Sequence, residues 1–364
     1  MPKKVFIAAT MQNDGKTTVS MGLILNFRER FKNIGFIKPI GQRYLEKLGQ
    51  KVDEDSLLIE DVCGIKCGIK DMSPIAVEKG FTERYIDNPD KEAIDRQIEE
   101  SFGRVSQDKD LVVIEGTGHA GVGSVFDHSN AAVARFLGAK VVLVSSGGIG
   151  RPIDEIMLNK ALFEKEGVGL AGVIINKVLP DKFEKVKNIV RKGLERLGVN
   201  VLGVMPYQPM LTFPTMRQIL EETNFKVFSG DRCLDNYISK IIIGAMEPHN
   251  ALNFMSQNSL LITPGDREDL IMTAIGLHIS KAAVCPTQIA GMVLTGGFQP
   301  HQEVIGVIKD TNIPVLTTEL DTYTAASLIH DLTVKIRPQD EKKIEAVKNM
   351  VKEYVDIESM LKWI

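Results

Sequence analysis

The residues with the clearest chemistry in this 364-residue chain are Gly15, Lys16 and Thr17. They follow the apolar run from Val5 to Ala9 and open a segment whose apolar residues recur at helical spacing. A strand, a polar loop and a helix in this order form a cradle in which backbone amides and the helix N-terminus face an anion. Lys16 would reach the outer phosphates of a nucleotide, and the Thr17 hydroxyl would contact magnesium. The predicted nucleotide contacts in this segment are Thr10, Asn13, Gly15, Lys16, Thr17 and Thr18.

The match to the Walker pattern is incomplete, because Thr10 stands where that pattern has its first glycine. A helix that merely begins after a glycine is the alternative interpretation. The flanking strand and helix favour phosphate binding.

Two carboxylates from separate segments, Asp55 and Glu115, complete a predicted magnesium site. Glu115 ends the apolar run 111–114, as expected of a carboxylate at the tip of a buried strand. Asp55 lies in an acidic cluster that opens a helix, where acidic residues are also ordinary partners of the helix dipole. Because magnesium takes oxygen ligands from few side chains together with phosphate and water, we expect Thr17, Asp55 and Glu115 to share the ion. Asp110, at the other end of the strand, is expected to lie away from it.

Three further polar side chains lie at or near the ends of predicted strands. Lys38 precedes Pro39, which places it at the carboxyl edge of a sheet; position alone leaves open a ligand contact or a surface lysine. Asn176 ends another strand, and its amide has the donor and acceptor needed to contact the edge of a base. His119 lies in a glycine-rich loop, where a lone histidine is more often neither acid nor ligand.

Alternating strands and helices position these residues and predict an α/β fold. The N-terminal part is expected to form a P-loop NTPase-type parallel sheet with helices on both faces. Its predicted strands are 5–9, 34–37, 111–115, 140–145, 171–176 and 201–205. A proline-punctuated break at 208–213 precedes a smaller α/β part. Its predicted elements are strands 241–243, 260–263, 290–294 and 314–317, and helices 270–281, 322–332 and 340–354.

Composition is that of an ordinary globular protein, with 44% hydrophobic and 25% charged residues. The net charge is −3 and basic residues are dispersed, so we expect no nucleic-acid partner. The expected location is cytoplasmic, without a membrane span. Cys63 and Cys67 are spaced too widely for a zinc knuckle and are expected to be semi-buried side chains near a glycine-rich turn. Cys233 and Cys285 are isolated and expected to be structural.

An internal echo relates the two parts of the chain. VVLVSSGGIGRPIDEIM is similar to LLITPGDREDLIM, and LAGVIINK is similar to IAGMVLTGG. Either an internal duplication or the sequence pattern that αβ units commonly share explains the similarity. In both cases segments 265–267 and 295–297 follow neighbouring strands, so they are expected to line one crevice.

The motifs TMQNDGKTT, KPIGQ, DEDS, VVIEGTG, SSGGIG and VIINK occur in the order found in the dethiobiotin synthetase group. FIKPIGQ followed by MSPIAV resembles more closely the synthetase-like N-terminal portion of long phosphotransacetylases, and TPGDREDLI with LTGG resembles a DRTGG domain. The resemblance implies a P-loop domain at 1–208 and a DRTGG-type domain at 209–364. It also implies ATP and Mg²⁺ as cofactors, with Asn176 facing adenine and with Lys16 and Lys38 as the catalytic lysines.

Two functions are compatible with this resemblance. The first is a nucleotide-responsive regulatory protein, because the domain pairing resembles a regulatory region detached from its enzyme. The phosphotransacetylase catalytic domain is not part of the resemblance, so acetyl transfer to phosphate is not expected. The second is an ATP-dependent carboxylate–amine ligase of the dethiobiotin or cobyrinic acid diamide synthetase type, supported by the joint presence of Lys16, Lys38, Asp55 and Glu115. Met11 departs from the synthetase loop pattern and argues against that enzyme's own substrate. A homodimer is expected, with self-association through the DRTGG part.

Overall fold

The computed structural model describes residues 2–47, 49–279, 289–332 and 334–364. The chain divides into two compact units, one of Met1–Gln208 with Ile336–Ile364 and one of Pro209–Lys335. The strands are β1 Lys3–Ala9, β2 Ile34–Ile37, β3 Ile40–Gly41, β4 Tyr44–Lys47, β5 Gln50–Asp53, β6 Ile75–Ala76, β7 Leu111–Glu115, β8 Lys140–Ser146, β9 Leu170–Val178, β10 Val201–Pro206, β11 Lys226–Ser229, β12 Lys240–Ile243, β13 Ser259–Pro264, β14 Ile289–Thr295 and β15 Val315–Thr317.

The α-helices are α1 Lys16–Phe27, α2 Glu54–Cys63, α3 Ile69–Met72, α4 Phe81–Asp87, α5 Lys91–Ser106, α6 Asn130–Phe136, α7 Gly150–Lys165, α8 Phe183–Arg196, α9 Met216–Glu222, α10 Pro248–Ala251, α11 Glu268–Ile279, α12 Gln302–Asp310, α13 Thr322–His330, α14 Glu341–Tyr354 and α15 Ile357–Trp363. Within the described ranges, none of these helices has the length and apolarity needed to cross a membrane.

The first unit is built on a parallel sheet, as the sequence predicts. Its strand order in the described residues is β10-β9-β8-β1-β7-β2, and each neighbouring pair is parallel. Phe6 and Ala8 of β1 pack with residues of α5, α6, α7 and α8 on one face. Helices α1 and α14 cover the other face. Because β1 lies between β7 and β8, the loop after β1 is placed beside the ends of both neighbours.

The C-terminal helices correct the predicted boundary of the second domain, because 336–364 belongs to the first unit and not to a 209–364 domain. Val347 and Val351 of α14 are fully buried against α1, where Gly22 leaves room for them. The Asn26 amide of α1 also donates a hydrogen bond to the Lys348 carbonyl at 2.9 Å. The many charges of α14 suggest a solvated helix, but its apolar stripe packs against a helix more than 300 positions earlier in the chain.

We expect Gly22→Ala to destabilise the first unit. A Cβ at this position would overlap Val351 and lie 3.1 Å from Val347, two stiff side chains without free volume around them. Overpacking of this kind costs about 1–3 kcal/mol, which outweighs the ~0.5–1 kcal/mol that alanine gains over glycine in a helix. Chemical denaturation measures the change.

The matched control is Gly103→Ala in α5, where a Cβ would meet no atom within 4 Å. That variant should gain stability from helix propensity alone. Stabilisation by both substitutions would show that α14 does not pack tightly on α1.

The second unit has a smaller mixed sheet of order β11-β15-β14-β13-β12 among the described residues. Strands β12 to β15 are parallel and β11 is an antiparallel edge strand. The helix predicted at 270–281 is Glu268–Ile279, and positions 280–281 and Cys285 lie outside the described residues. The helix predicted at 322–332 ends at His330.

The two glycine-containing loops of the second unit follow neighbouring strands, as predicted. The amide of Gly265 donates to the Thr295 carbonyl at 3.2 Å across the ends of β13 and β14. A Cβ at Gly265 would overlap the Phe298 carbonyl, so the two loops pack directly on each other. Glycine at 265 therefore permits a close backbone approach at the place where the sequence predicts a crevice.

Candidate nucleotide site

The loop between β1 and α1 has the backbone conformation of a phosphate cradle. Asn13 and Gly15 adopt positive φ values of 64° and 93°. A side chain at Gly15 would overlap the Asn176 amide, so this position requires glycine for space as well as for conformation. No side chain caps the N-terminus of α1, whose first amides are therefore available to an anion.

Asp14 organises this loop and was not among the predicted site residues. It is only 4% exposed, and its carboxylate accepts hydrogen bonds from the Thr10 hydroxyl at 2.8 Å and the Met11 amide at 2.8 Å. The Ser146 hydroxyl at the end of β8 donates to its other oxygen. Thr10 itself is buried, and its hydroxyl oxygen also lies 3.0 Å from the Ser145 hydroxyl, from which it can accept a hydrogen bond. Thr10 thus braces the loop from inside, and its contact with nucleotide stays a prediction.

Asn176 and Lys177 fix the loop from the end of β9. The Asn176 amide nitrogen donates to the Asp14 carbonyl at 2.9 Å, and its oxygen accepts from the Lys177 amide at 2.9 Å. The Lys177 ammonium donates to the Asn13 carbonyl. Both ends of the Asn176 amide therefore contact protein, and the predicted contact with adenine stays a prediction.

Thr17 and Glu115 meet because β1 and β7 are neighbours. The Thr17 hydroxyl donates to Glu115 Oε1 at 2.8 Å. Glu115 is fully buried, and its Oε2 atom has no hydrogen-bond partner in the structure. Burial, together with the nearby Asp55 carboxylate, raises the pKa of Glu115. A buried carboxylate oxygen without a partner is the atom that a cation would satisfy.

Lys16 lies at the start of α1, close enough to Glu115 and Asp55 for their charges to act on its ammonium group. Burial lowers the pKa of its ammonium, and the charge of Glu115 opposes this shift. Burial deprives the Lys16 ammonium of its hydrogen bonds to water, and a bound anion would replace them. The uncapped amides at the start of the helix favour an anion at the same place.

Lys38 is not a surface lysine, since it is 6% exposed at the end of β2. Its ammonium donates to Asp53 Oδ1 at 2.8 Å and forms an ion pair with Asp55. Burial disfavours the charged form, but the carboxylates of Asp55 and Asp53 outweigh it and raise the pKa of Lys38. The structure thus places Asp55 in contact with a lysine, and its role as a magnesium ligand stays a prediction.

Asp53 is a second residue that the predicted site omitted. It is 1% exposed and caps α2, because its Oδ1 atom accepts from the Asp55 amide at 3.0 Å. Burial raises the pKa of its carboxyl group, against the effect of Lys38. The signal in the sequence was the run of three acids at 53–55, which does not by itself tell a cap from a ligand.

The side chains present fit a magnesium ion held jointly with phosphates. Thr17, Glu115 and Asp55 offer hard oxygen donors, and Glu115 Oε2 has no hydrogen-bond partner among the residues that the structure describes. Among the described residues, no group of three or more His, Cys, Asp or Glu side chains forms a metal cage of its own.

His119, Cys63 and Cys67 make no contact with the residues of this site in the hydrogen bonds and ion pairs of the described residues. His119 is exposed, and its Nδ1 atom accepts from the Gly121 amide at 3.2 Å. Cys63 is buried, and burial raises its thiol pKa to about 12. Neither cysteine of the pair is in a disulfide.

A phosphate loop between a buried strand and a helix, with a carboxylate at the end of the neighbouring strand, defines a P-loop nucleotide-binding domain. Residues 3–215 match the family model described as an AAA domain, AAA_26, and the chain belongs to this family. Residues 218–332 match the model of the DRTGG domain. The predicted pairing of these two domains is thereby confirmed.

Curated relatives are similar to this chain along nearly its whole length. A phosphate acetyltransferase of Nitratidesulfovibrio vulgaris is 27% identical over 98% of this chain and 51% of its own length. One of Pseudomonas putida is 28% identical over 96% of this chain and 50% of its own length. The chain thus spans about half the length of these relatives. Among solved structures, the septum site-determining protein MinD of Pyrococcus horikoshii is 14% identical, with a TM-score of 0.36 over 58% of this chain and 84% of that one.

Proposed function

We propose that this chain binds ATP with Mg²⁺ and acts as a nucleotide-responsive regulatory protein. The observation that carries the proposal is the Thr17–Glu115 contact beside Lys16, with one Glu115 oxygen left without a partner. This is the pair of oxygen groups that a P-loop site presents to magnesium.

The chain's own residues divide the binding work. The amides at the start of α1 and the Lys16 ammonium would hold the β- and γ-phosphates, while Asp14 and Asn176 keep the loop open around them. Thr17, Asp55 and Glu115 would hold the ion. Magnesium, when bound, neutralises phosphate charge and so makes the terminal phosphoryl group a better acceptor.

Two observations favour the regulatory function: the pairing of the P-loop and DRTGG domains, and the ion pairs that Lys38 forms with two aspartates. The P-loop and DRTGG domains occur together in this chain, and the region that spans both is similar to phosphate acetyltransferases. The chain therefore resembles the N-terminal portion of those enzymes. Lys38, the lysine that would position a carboxylate substrate for phosphoryl transfer, is occupied by Asp53 and Asp55. A ligand-binding role requires no second substrate beside it.

The second candidate is the ATP-dependent carboxylate–amine ligase, which is favoured by the clustering of Lys16, Lys38 and Glu115 around one site. ADP release measured with mixtures of candidate acids and amines separates the two functions. Binding of ATP in calorimetry without stimulated release supports the regulatory function. Release that depends on both an acid and an amine would replace it by the ligase.

Self-association through the DRTGG unit is the proposed oligomeric arrangement. Phe298, Leu320 and Tyr323 are 55%, 37% and 80% exposed. Phe298 and Leu320 lie on two loops joined by the Gly296 amide, which donates to the Leu320 carbonyl at 2.8 Å, and Tyr323 lies in the first turn of α13. We expect Phe298→Ser with Tyr323→Ser to weaken the dimer about tenfold or more, since exposed aromatic side chains dominate interface energies.

Light scattering over a concentration series measures this effect. Phe254→Ser is the matched control, because Phe254 is 50% exposed but precedes β13, on the amino-terminal side of the parallel strands, whereas Phe298 follows the carboxyl end of β14. A dimer that the double variant leaves as stable as the wild type would exclude these loops as the interface.

A further inference from the structure

The pairing of Lys38 poses a question about magnesium binding. Its ammonium contacts one oxygen of Asp53 and one of Asp55, and both aspartates lie at the start of α2. Asp55 is one of three residues expected to hold the ion. A carboxylate that neutralises a lysine is a weaker ligand for a cation, because the lysine must first be displaced.

Asp53 is held in place by several hydrogen bonds and is more deeply buried than Asp55. Its amide donates to the Ser73 hydroxyl at 3.0 Å, and its Oδ1 atom accepts from both Lys38 and the Asp55 amide. The Lys38 backbone is fixed in turn by the Met72 carbonyl, which accepts from its amide at 2.8 Å. The Asp55 side chain is 14% exposed, compared with 1% for Asp53. The more exposed Asp55 carboxylate has solvent beside it into which it can turn, and the buried Asp53 carboxylate would keep Lys38 in place.

The metal-facing groups are within electrostatic reach of this pair. The Asp55 charge contributes to the raised pKa of Glu115, and the Glu115 charge contributes to that of Lys38. The Asp55 carboxylate would exchange Lys38 for the metal ion within the same group of acids. The Asp53 carboxylate would remain as the counter-charge of the lysine.

We propose that Lys38 is a latch that holds Asp55 away from magnesium in the nucleotide-free chain, and that Asp53 is the positioning residue that retains Lys38 when Asp55 is released. This inference rests on the proposed function and deepens it, because it makes metal loading a competition between Mg²⁺ and Lys38 for one carboxylate. Removing the latch should therefore strengthen metal binding before any nucleotide is present.

The test is Mn²⁺ binding to the nucleotide-free chain, measured by electron paramagnetic resonance of the free ion. The variant is Lys38→Met with Asp53→Asn, which removes one charge of each sign and leaves the net charge of the site unchanged. If Asp55 is latched about nine-tenths of the time, apparent Mn²⁺ affinity should rise about tenfold. The matched control is Lys51→Met with Glu78→Gln, which removes an exposed ion pair of 2.8 Å in the same unit.

Unchanged or weaker Mn²⁺ binding by the Lys38/Asp53 variant would overturn the latch, and so would an equal rise in both double variants. If that variant fails to fold by circular dichroism, Lys38→Arg replaces it. A guanidinium would hold both aspartates more firmly, so Mn²⁺ affinity must fall, and a rise or no change would overturn the latch. ATP titrated into the wild type with Mg²⁺ tests the proposed function separately: absence of binding defeats that function, whereas binding with an unaffected Mn²⁺ response defeats only the latch.

Discussion

Lys16→Ala is expected to reduce ATP affinity by about 30- to 150-fold, a loss of ~2–3 kcal/mol typical of a charge-assisted hydrogen bond. The physical reason is that Lys16 is the cation at the N-terminus of α1, where burial has already removed much of its hydration. A bound phosphate would supply the interaction that burial takes away. Alanine preserves the helix and supplies nothing to the phosphate. Isothermal titration with ATP and Mg²⁺ measures the loss.

The control for this experiment is Lys32→Ala. Lys32 is exposed beyond the C-terminal end of α1, so its removal changes net charge equally without touching the loop. Its variant should bind ATP as the wild type does. Equal losses of ATP affinity in both variants would mean that the effect comes from net charge and not from a contact with phosphate. Undiminished ATP affinity of Lys16→Ala would refute the assignment of Lys16 to the phosphates.

The phosphate loop could be predicted from the sequence because the residues that define it are neighbours along the chain. Gly15, Lys16 and Thr17 are adjacent in sequence, and the strand and helix that flank them follow from apolar runs and helical spacing. The edge position of Glu115 followed in the same way, from an acid that ends a buried strand. Parallel sheets bring strand ends to one edge, so the approximate location of the site needed no coordinates.

What the sequence did not reveal depends on side-chain direction and on contacts between distant segments. Asp14 turns inward to accept from Met11 and Ser146, and no residue pattern distinguishes that orientation from an outward one. Lys38 could not be identified as buried, because its burial depends on the two aspartates that arrive at the start of α2. Helix α14 was assigned to the wrong unit for a similar reason. Its packing on Gly22 joins positions too far apart for any local signal.

Glu115→Gln is expected to remove the contribution of Mg²⁺ to ATP binding while leaving metal-free binding nearly intact. The substitution keeps the length of the side chain and can still accept from Thr17, but it removes the negative charge that faces the ion. Loss of a group in a metal site commonly costs about 10- to 100-fold in metal affinity, and we expect the Mg²⁺ concentration needed for half-maximal enhancement to rise by that factor. Titration calorimetry at a series of Mg²⁺ concentrations measures the shift.

Asp110→Asn is the matched control, since Asp110 precedes the same strand at its opposite end and its carboxylate accepts from the Asn33 amide at 2.9 Å. This carboxylate-to-amide change should leave Mg²⁺ dependence unaltered. If Glu115→Gln also leaves it unaltered, the carboxylate at the end of β7 does not contact the ion.

A second measurement on Glu115→Gln needs neither nucleotide nor metal. Burial raises the folded-state pKa of Glu115 above its ordinary value of 4.5, so its contribution to stability is fully present below that pH and is lost as pH rises through the folded-state pKa. Glutamine does not titrate, and the stability of the variant relative to wild type should therefore increase with pH across this window. Urea unfolding from pH 4 to pH 8, about the range over which a buried carboxyl ionises, measures the difference. A constant difference would mean that Glu115 is ionised at no free-energy cost, and its partnerless oxygen would then give no reason to expect a cation there.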